Sequence, residues 1–220
     1  MELRNVVLCM ACFTLFASGL TYGVKFLRKR NYLLGLEWLV VGFSAANFLV
    51  YFGTQSESAY LIAYFCDAFS RGFGIPIITV LGLMAVTHGY KPSALKDVLI
   101  FAGAIAATLV LISVPSLGRF LPYFYVSMWS VFALYLLYFA FRLASAGETR
   151  QAAGVMLGML ASLTIAAIYD FYKIPGDETN VLLNFYVLAL STWAYVLVQL
   201  YYAYGALERA KESQPLLQPR

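Results

Sequence analysis

The sequence predicts an all-α polytopic membrane protein, a seven-transmembrane-helix bundle with its N-terminus outside and its C-terminus cytoplasmic. Three observations predict it. The 220 residues are 62% hydrophobic and 12% charged, with a mean hydropathy of +0.76, which is more apolar surface than one soluble core of this size can enclose. Seven apolar stretches, over residues 5–24, 33–53, 59–88, 97–115, 120–142, 151–172 and 181–204, reach or approach the ~20 residues a helix needs to cross ~30 Å of hydrocarbon. Finally, the basic residues fall unevenly on the two sets of loops that these stretches define.

With the N-terminus outside, Lys25, Arg28, Lys29, Arg30, Lys91, Lys96, Arg142, Arg150, Arg209, Lys211 and Arg220 are cytoplasmic, against Arg4, Arg119 and Lys173 on the other side. Basic residues beside membrane spans stay on the cytoplasmic side, so this bias sets the orientation. It also accounts for the net charge of +4, and no basic cluster interleaved with aromatics points to nucleic acid. Helix 1 is expected to remain uncleaved, because its basic run follows the apolar segment rather than preceding it. Residues 1–204 form one transmembrane domain in this reading, and 205–220 a short cytoplasmic tail expected to be disordered.

Helix 4, with Thr108 and Ser113 its polar side chains over 98–114, is expected at the periphery. Helix 3 differs. Tyr60, Tyr64, Asp67, Arg71 and Gly74 are spaced to share one face. Asp67 lies about eight residues below the outer end, or ~12 Å, where an unpaired charge costs a few kcal/mol. Arg71, one turn on, is a suitable partner. Pro76 lacks an N–H and weakens the same turn, which makes a polar site or a hinge in hydrocarbon. A structural clamp with a packing kink is the competing interpretation.

Helix 6 carries Gly154, Gly158, Ser162, Ala166 and Asp170 every four residues. The small residues permit close helix approach, either within the bundle or with a second copy or another membrane protein. Asp170 either joins Asp67 and Arg71 or sits at the interface beside Lys173. Helix 2 aligns Glu37, Ser44, Asn47 and Tyr51, and helix 7 opens with Asn184 and continues through Ser191 and Tyr195. Taken by depth, Asn47, Tyr51, Tyr64, Asp67, Arg71, Asp170 and Asn184 occupy the outer half and predict a polar, outward-facing cavity. Asp67, Arg71, Asn47, Tyr64, Asp170, Asn184 and Pro76 are the candidate binding or gating residues.

No catalytic set is recognisable, and no cofactor is expected. The one histidine, His88, cannot supply a multi-histidine metal or haem site, and helix 7 has no lysine for a Schiff base. Cys9 and Cys12 form a C-x-x-C in helix 1 with Cys66 at similar depth, the remote basis for a membrane thiol oxidoreductase. Helices 1–3 and 5–7 run in the same directions, which permits two parallel three-helix units joined by helix 4.

Two functions compete. A small-solute or proton-linked transporter requires a polar route inward towards Glu37 and Gln199. A non-transporting ligand sensor or accessory subunit, with helix 5 and Trp129 facing a partner, requires an apolar plug below Gly74. The expected partners are membrane lipids and a small-molecule ligand. Short loops without N-x-S/T sites favour a bacterial inner membrane. An acidic dileucine pattern from Glu212 to Leu217 is the argument for a eukaryotic endolysosomal one.

Overall fold

The computed structural model describes residues 2–213, and within them every regular element is helical. Seven helices are long and apolar enough to cross a membrane: α1 (Leu3–Arg28), α2 (Tyr32–Thr54), α3 (Glu57–Thr87), α4 (Ala94–Ser113), α5 (Leu121–Ser145), α6 (Thr149–Phe171) and α7 (Phe185–Ser213). They match the seven expected stretches in order. α7 starts later than expected and continues through Ser213, so the first residues of the expected tail are helix. Gly205, Ala206 and Leu207 are buried there, and Glu208 pairs with Lys29 at the α1–α2 turn. The rest of the tail, including the dileucine pair, lies outside the described residues.

Local sequence sets the helix ends. The Asn31 side chain accepts from the Leu34 amide at 3.2 Å, capping α2, and donates to the Gly82 carbonyl at 2.9 Å, which ties that cap to α3. Gln55 ends α2 in a left-handed conformation (φ 56°), and Ser56 caps α3 through the Ala59 amide. The centre of α3 departs from α geometry. Ser70–Thr79 is π-helical, and Pro76 lies inside it. Proline has no N–H to give the preceding turn, and the wider winding spreads that loss over several residues. The Thr79 hydroxyl donates to the Gly74 carbonyl at 3.3 Å, supplying one bond from a side chain.

The helices pack as a closed ring in the order α1, α2, α3, α5, α6, α7 and back to α1, and α4 lies outside against α3. α3 is the most enclosed span and α4 the least. The two three-helix units permitted by the sequence thus form opposite halves of the ring. The closest approach joins α1 and α2. A Cβ on Gly19 would lie 2.8 Å from the Gly42 Cα and 2.7 Å from the Trp38 carbonyl oxygen. Gly19 and Gly23 supply the small-xxx-small spacing this needs.

Candidate functional site

A cavity of about 190 Å³ opens among the ring helices, and all six contribute to its wall while α4 does not. Asp67, Arg71, Tyr60 and Tyr64 of α3 line it together, as their shared face predicted. Gly74 does not continue that face. In the wider π winding Ile75 comes round to the wall instead, and Gly74 turns to α2, with its Cα against the Glu37 carboxyl group.

Arg71 is the centre of a charged cluster near the end of the bundle that holds the N-terminus. Its Nη2 donates to Asp170 Oδ2 at 2.7 Å, and its Nη1 lies 3.7 Å from Asp67 Oδ2. Its Cζ stands 3.5 Å from the ring centroid of Tyr169 and 4.1 Å from that of Tyr125. The Tyr169 hydroxyl in turn donates to Asp67 Oδ2 at 3.4 Å. A guanidinium suits this place because its flat faces meet aromatic rings while its edge donates to carboxylates. Asp170 therefore belongs to the cluster and not to the interface; Lys173 pairs with Glu178 instead, at 2.6 Å.

Three expected members stand elsewhere; Tyr51 is absent from the cavity wall, with its ring 5.1 Å from that of Tyr60. Asn184 is buried as the cap of α7: its Oδ1 accepts from the Val187 amide at 3.1 Å, and its Nδ2 donates to the carbonyls of Asn180 and Val181. Its polarity satisfies orphan groups at the helix start. Asn47 donates to Phe43 of its own helix at 2.9 Å and is absent from the cavity wall. Pro76 is buried within the π-helical segment, next to the wall residue Ile75.

The lower part of the cavity is apolar. The deepest lining residues of their helices are Val41 in α2, Ile75 in α3, Trp129 in α5 and Leu197 in α7. Past them, Phe26 and Trp38, both fully buried, pack edge-on at a centroid distance of 5.4 Å, with Tyr201 and Tyr204 against Phe26. The Trp38 indole donates to the Leu197 carbonyl at 3.1 Å and so links this plug to the cavity floor. The polar route does not reach Gln199, which bonds Gln151 at 2.9 Å between α6 and α7, and Glu37 is fully buried, its carboxyl group beside Gly74 and the wall residue Ser70.

Trp129 also departs from expectation. It is 3% exposed, lines the cavity and stacks near Trp193, with centroids 6.5 Å apart, so it does not face a partner. The small-residue stripe of α6 is occupied within the chain. Gly154 packs against Gln199 and accepts the Tyr195 hydroxyl at 3.0 Å, and Gly158 packs against Val196. Cys9, Cys12 and Cys66 are free thiols; Cys12 donates to the Ala45 carbonyl at 3.2 Å, and Cys66 lines the cavity.

Sequence reasoning missed the aromatic part of the site, Tyr125, Tyr169, Trp129 and Trp193. Tyr169 is adjacent to Asp170, and Tyr125 and Trp129 are one turn apart, so spacing alone could have placed them on inward faces. Comparison with protein-family models, with curated proteins and with solved structures returned no match.

Proposed function

We propose that this membrane protein binds a small solute in the ring cavity, from the side on which the N-terminus lies, without conducting it through the bundle. The carrying observation is the change of lining with depth: a charged and aromatic wall above, an apolar floor and an aromatic plug below. A polar solute passing that plug would exchange its hydration for aromatic ring surfaces that replace little of it. This is the arrangement of a ligand sensor or an accessory subunit. The basic residues clustered at the plugged end orient the open end outward, to the periplasm if the membrane is a bacterial inner membrane, the location we favour.

Transport is the second reading, and one observation favours it. The π-helical segment with Pro76 forms part of the floor through Ile75, so the plug leans on the least regular stretch of the most enclosed helix. Rearrangement there, with Asp67 exchanging Arg71 for a solute, would open the lower half. Thermal-shift screening of the purified chain, followed by flux from liposomes with each stabilising compound, tests both. Stabilisation without flux is expected. Flux abolished by Asp67→Asn would replace sensing by transport, and absence of any stabilising compound in a broad screen would remove both.

A further inference from the structure

The cavity has a chemical preference that follows from which of its charges are occupied. Arg71 is not open to an anionic ligand. It is 8% exposed, its Nη2 is held by Asp170, and its guanidinium lies over two tyrosine rings. Asp67 is the opposite case. It lines the cavity with a side chain 29% exposed, and its contacts to Arg71 and Tyr169 are both long, at 3.7 and 3.4 Å. Two carboxylates and one guanidinium carry a formal charge of −1, and the less engaged carboxylate faces the open space. Around it the wall is aromatic, with Tyr64, Tyr186, Trp129 and Trp193. Negative charge beside ring faces, in a site shielded from bulk water, attracts a cation and repels an anion.

The Ser70 hydroxyl stands beside the Glu37 carboxyl group, and neither it nor the Trp193 indole N–H is open to the cavity. The volume corresponds to about six waters at ~30 Å³ each, which limits the occupant to a small molecule.

We infer that the cavity binds a small organic monocation of the quaternary-ammonium class, with its cationic group at Asp67 among the aromatic rings of the wall. This rests on the solute-binding reading and specifies its ligand. The cation replaces Arg71 as the nearer counter-charge of Asp67, while the Arg71–Asp170 pair remains as the fixed wall behind it.

The test is calorimetric titration of the full chain in lipid nanodiscs. The probes are choline, tetramethylammonium, the uncharged choline isostere 3,3-dimethylbutan-1-ol and the anion pivalate. Choline and tetramethylammonium are expected to bind, and the isostere and the anion not measurably. Asp67→Asn is expected to weaken both cations about tenfold or more, the scale of a lost desolvated cation contact. Should Asp67→Asn fail to fold, Tyr64→Ala on the same wall serves, with a loss for both cations expected. Equal binding of the isostere, or binding of pivalate alone, overturns the cation class and leaves solute binding intact. No binding by any of the four probes also overturns the cation class, and the broad screen then decides the parent reading separately.

Discussion

Arg71 and Glu37 are both ionisable residues within membrane-spanning helices, and their surroundings could hardly differ more. Arg71 has two carboxylates and two aromatic faces, at a cavity wall. Glu37 is fully buried against Gly74, beside the Ser70 hydroxyl, and touches no charged partner. The first is a charge that the fold has neutralised by geometry. The second is enclosed with nothing to neutralise it. Sequence position conveys only that each is polar in an apolar helix; which is a site and which a sealed group depends on neighbours contributed by other helices.

Removing the centre of the first cluster should have the largest effect. Arg71→Ala leaves Asp67 and Asp170 facing one another without a cation, an uncompensated charge of the kind that costs ~3–5 kcal/mol, or roughly 10 °C in thermal midpoint. Glu37→Gln, a neutral side chain of the same shape, is expected to move the midpoint far less, because an unpaired carboxylate contributes no ion pair to lose. Differential scanning fluorimetry on the two variants checks the contrast. A loss in Glu37→Gln as large as in Arg71→Ala would mean that the Glu37 charge itself has a role.

A smaller effect comes from the contact that encloses Glu37. Gly74→Ala places a methyl where the carboxyl group now lies, so α2 and the π-helical turn must separate; overpacking of this kind costs ~1–3 kcal/mol. Hydrogen exchange should quicken in α2 around Glu37 and in the 70–79 segment, and leave α6 and α7 unchanged. Exchange quickened equally throughout the ring would show that the π-helical turn is no separate unit.

The smallest effect is expected at Lys173 and Glu178. The lysine beside Glu178 holds that carboxyl below its ordinary range. A depressed acid lends stability above its unfolded value and loses it as pH falls through the folded one. Both side chains are about three-quarters exposed, at 73% and 76%, so the pair is screened by water. Glu178→Gln is therefore expected to leave the midpoint unchanged from pH 5 to 8, and Lys173→Gln to leave the Arg71–Asp170 pair intact. A drop in midpoint with Lys173→Gln would reattach Asp170 to the interfacial lysine.

Much of this was legible along the chain. The spans follow from hydropathy and length, because a segment's passage through hydrocarbon depends on its own transfer free energy. The face holding Tyr60, Tyr64, Asp67 and Arg71 follows from helical periodicity, and the soft turn from Pro76 and its neighbouring glycines. The peripheral place of α4 follows from the scarcity of polar side chains over 98–114, where Thr108 and Ser113 are the ones present. Asn47 and Asn184 were misplaced because depth in the membrane says nothing about direction. One bonds its own helix and the other caps α7, choices made by the nearest unsatisfied backbone group.

What closes the ring depends on contacts between helices. Arg71 chose Asp170, ninety-nine residues away, over Asp67 one turn away, because α6 brings the more distant carboxylate to 2.7 Å with Tyr169 beside it. The π winding turned Gly74 to Glu37 and Ile75 to the cavity, and the Phe26–Trp38 packing ended the polar path. Seven apolar helices with charge in the third are already written along the chain, since partition into lipid is a property each segment carries alone. Whether that charge lines a passage or a closed site is a property of side chains meeting across helices, and no single segment contains it.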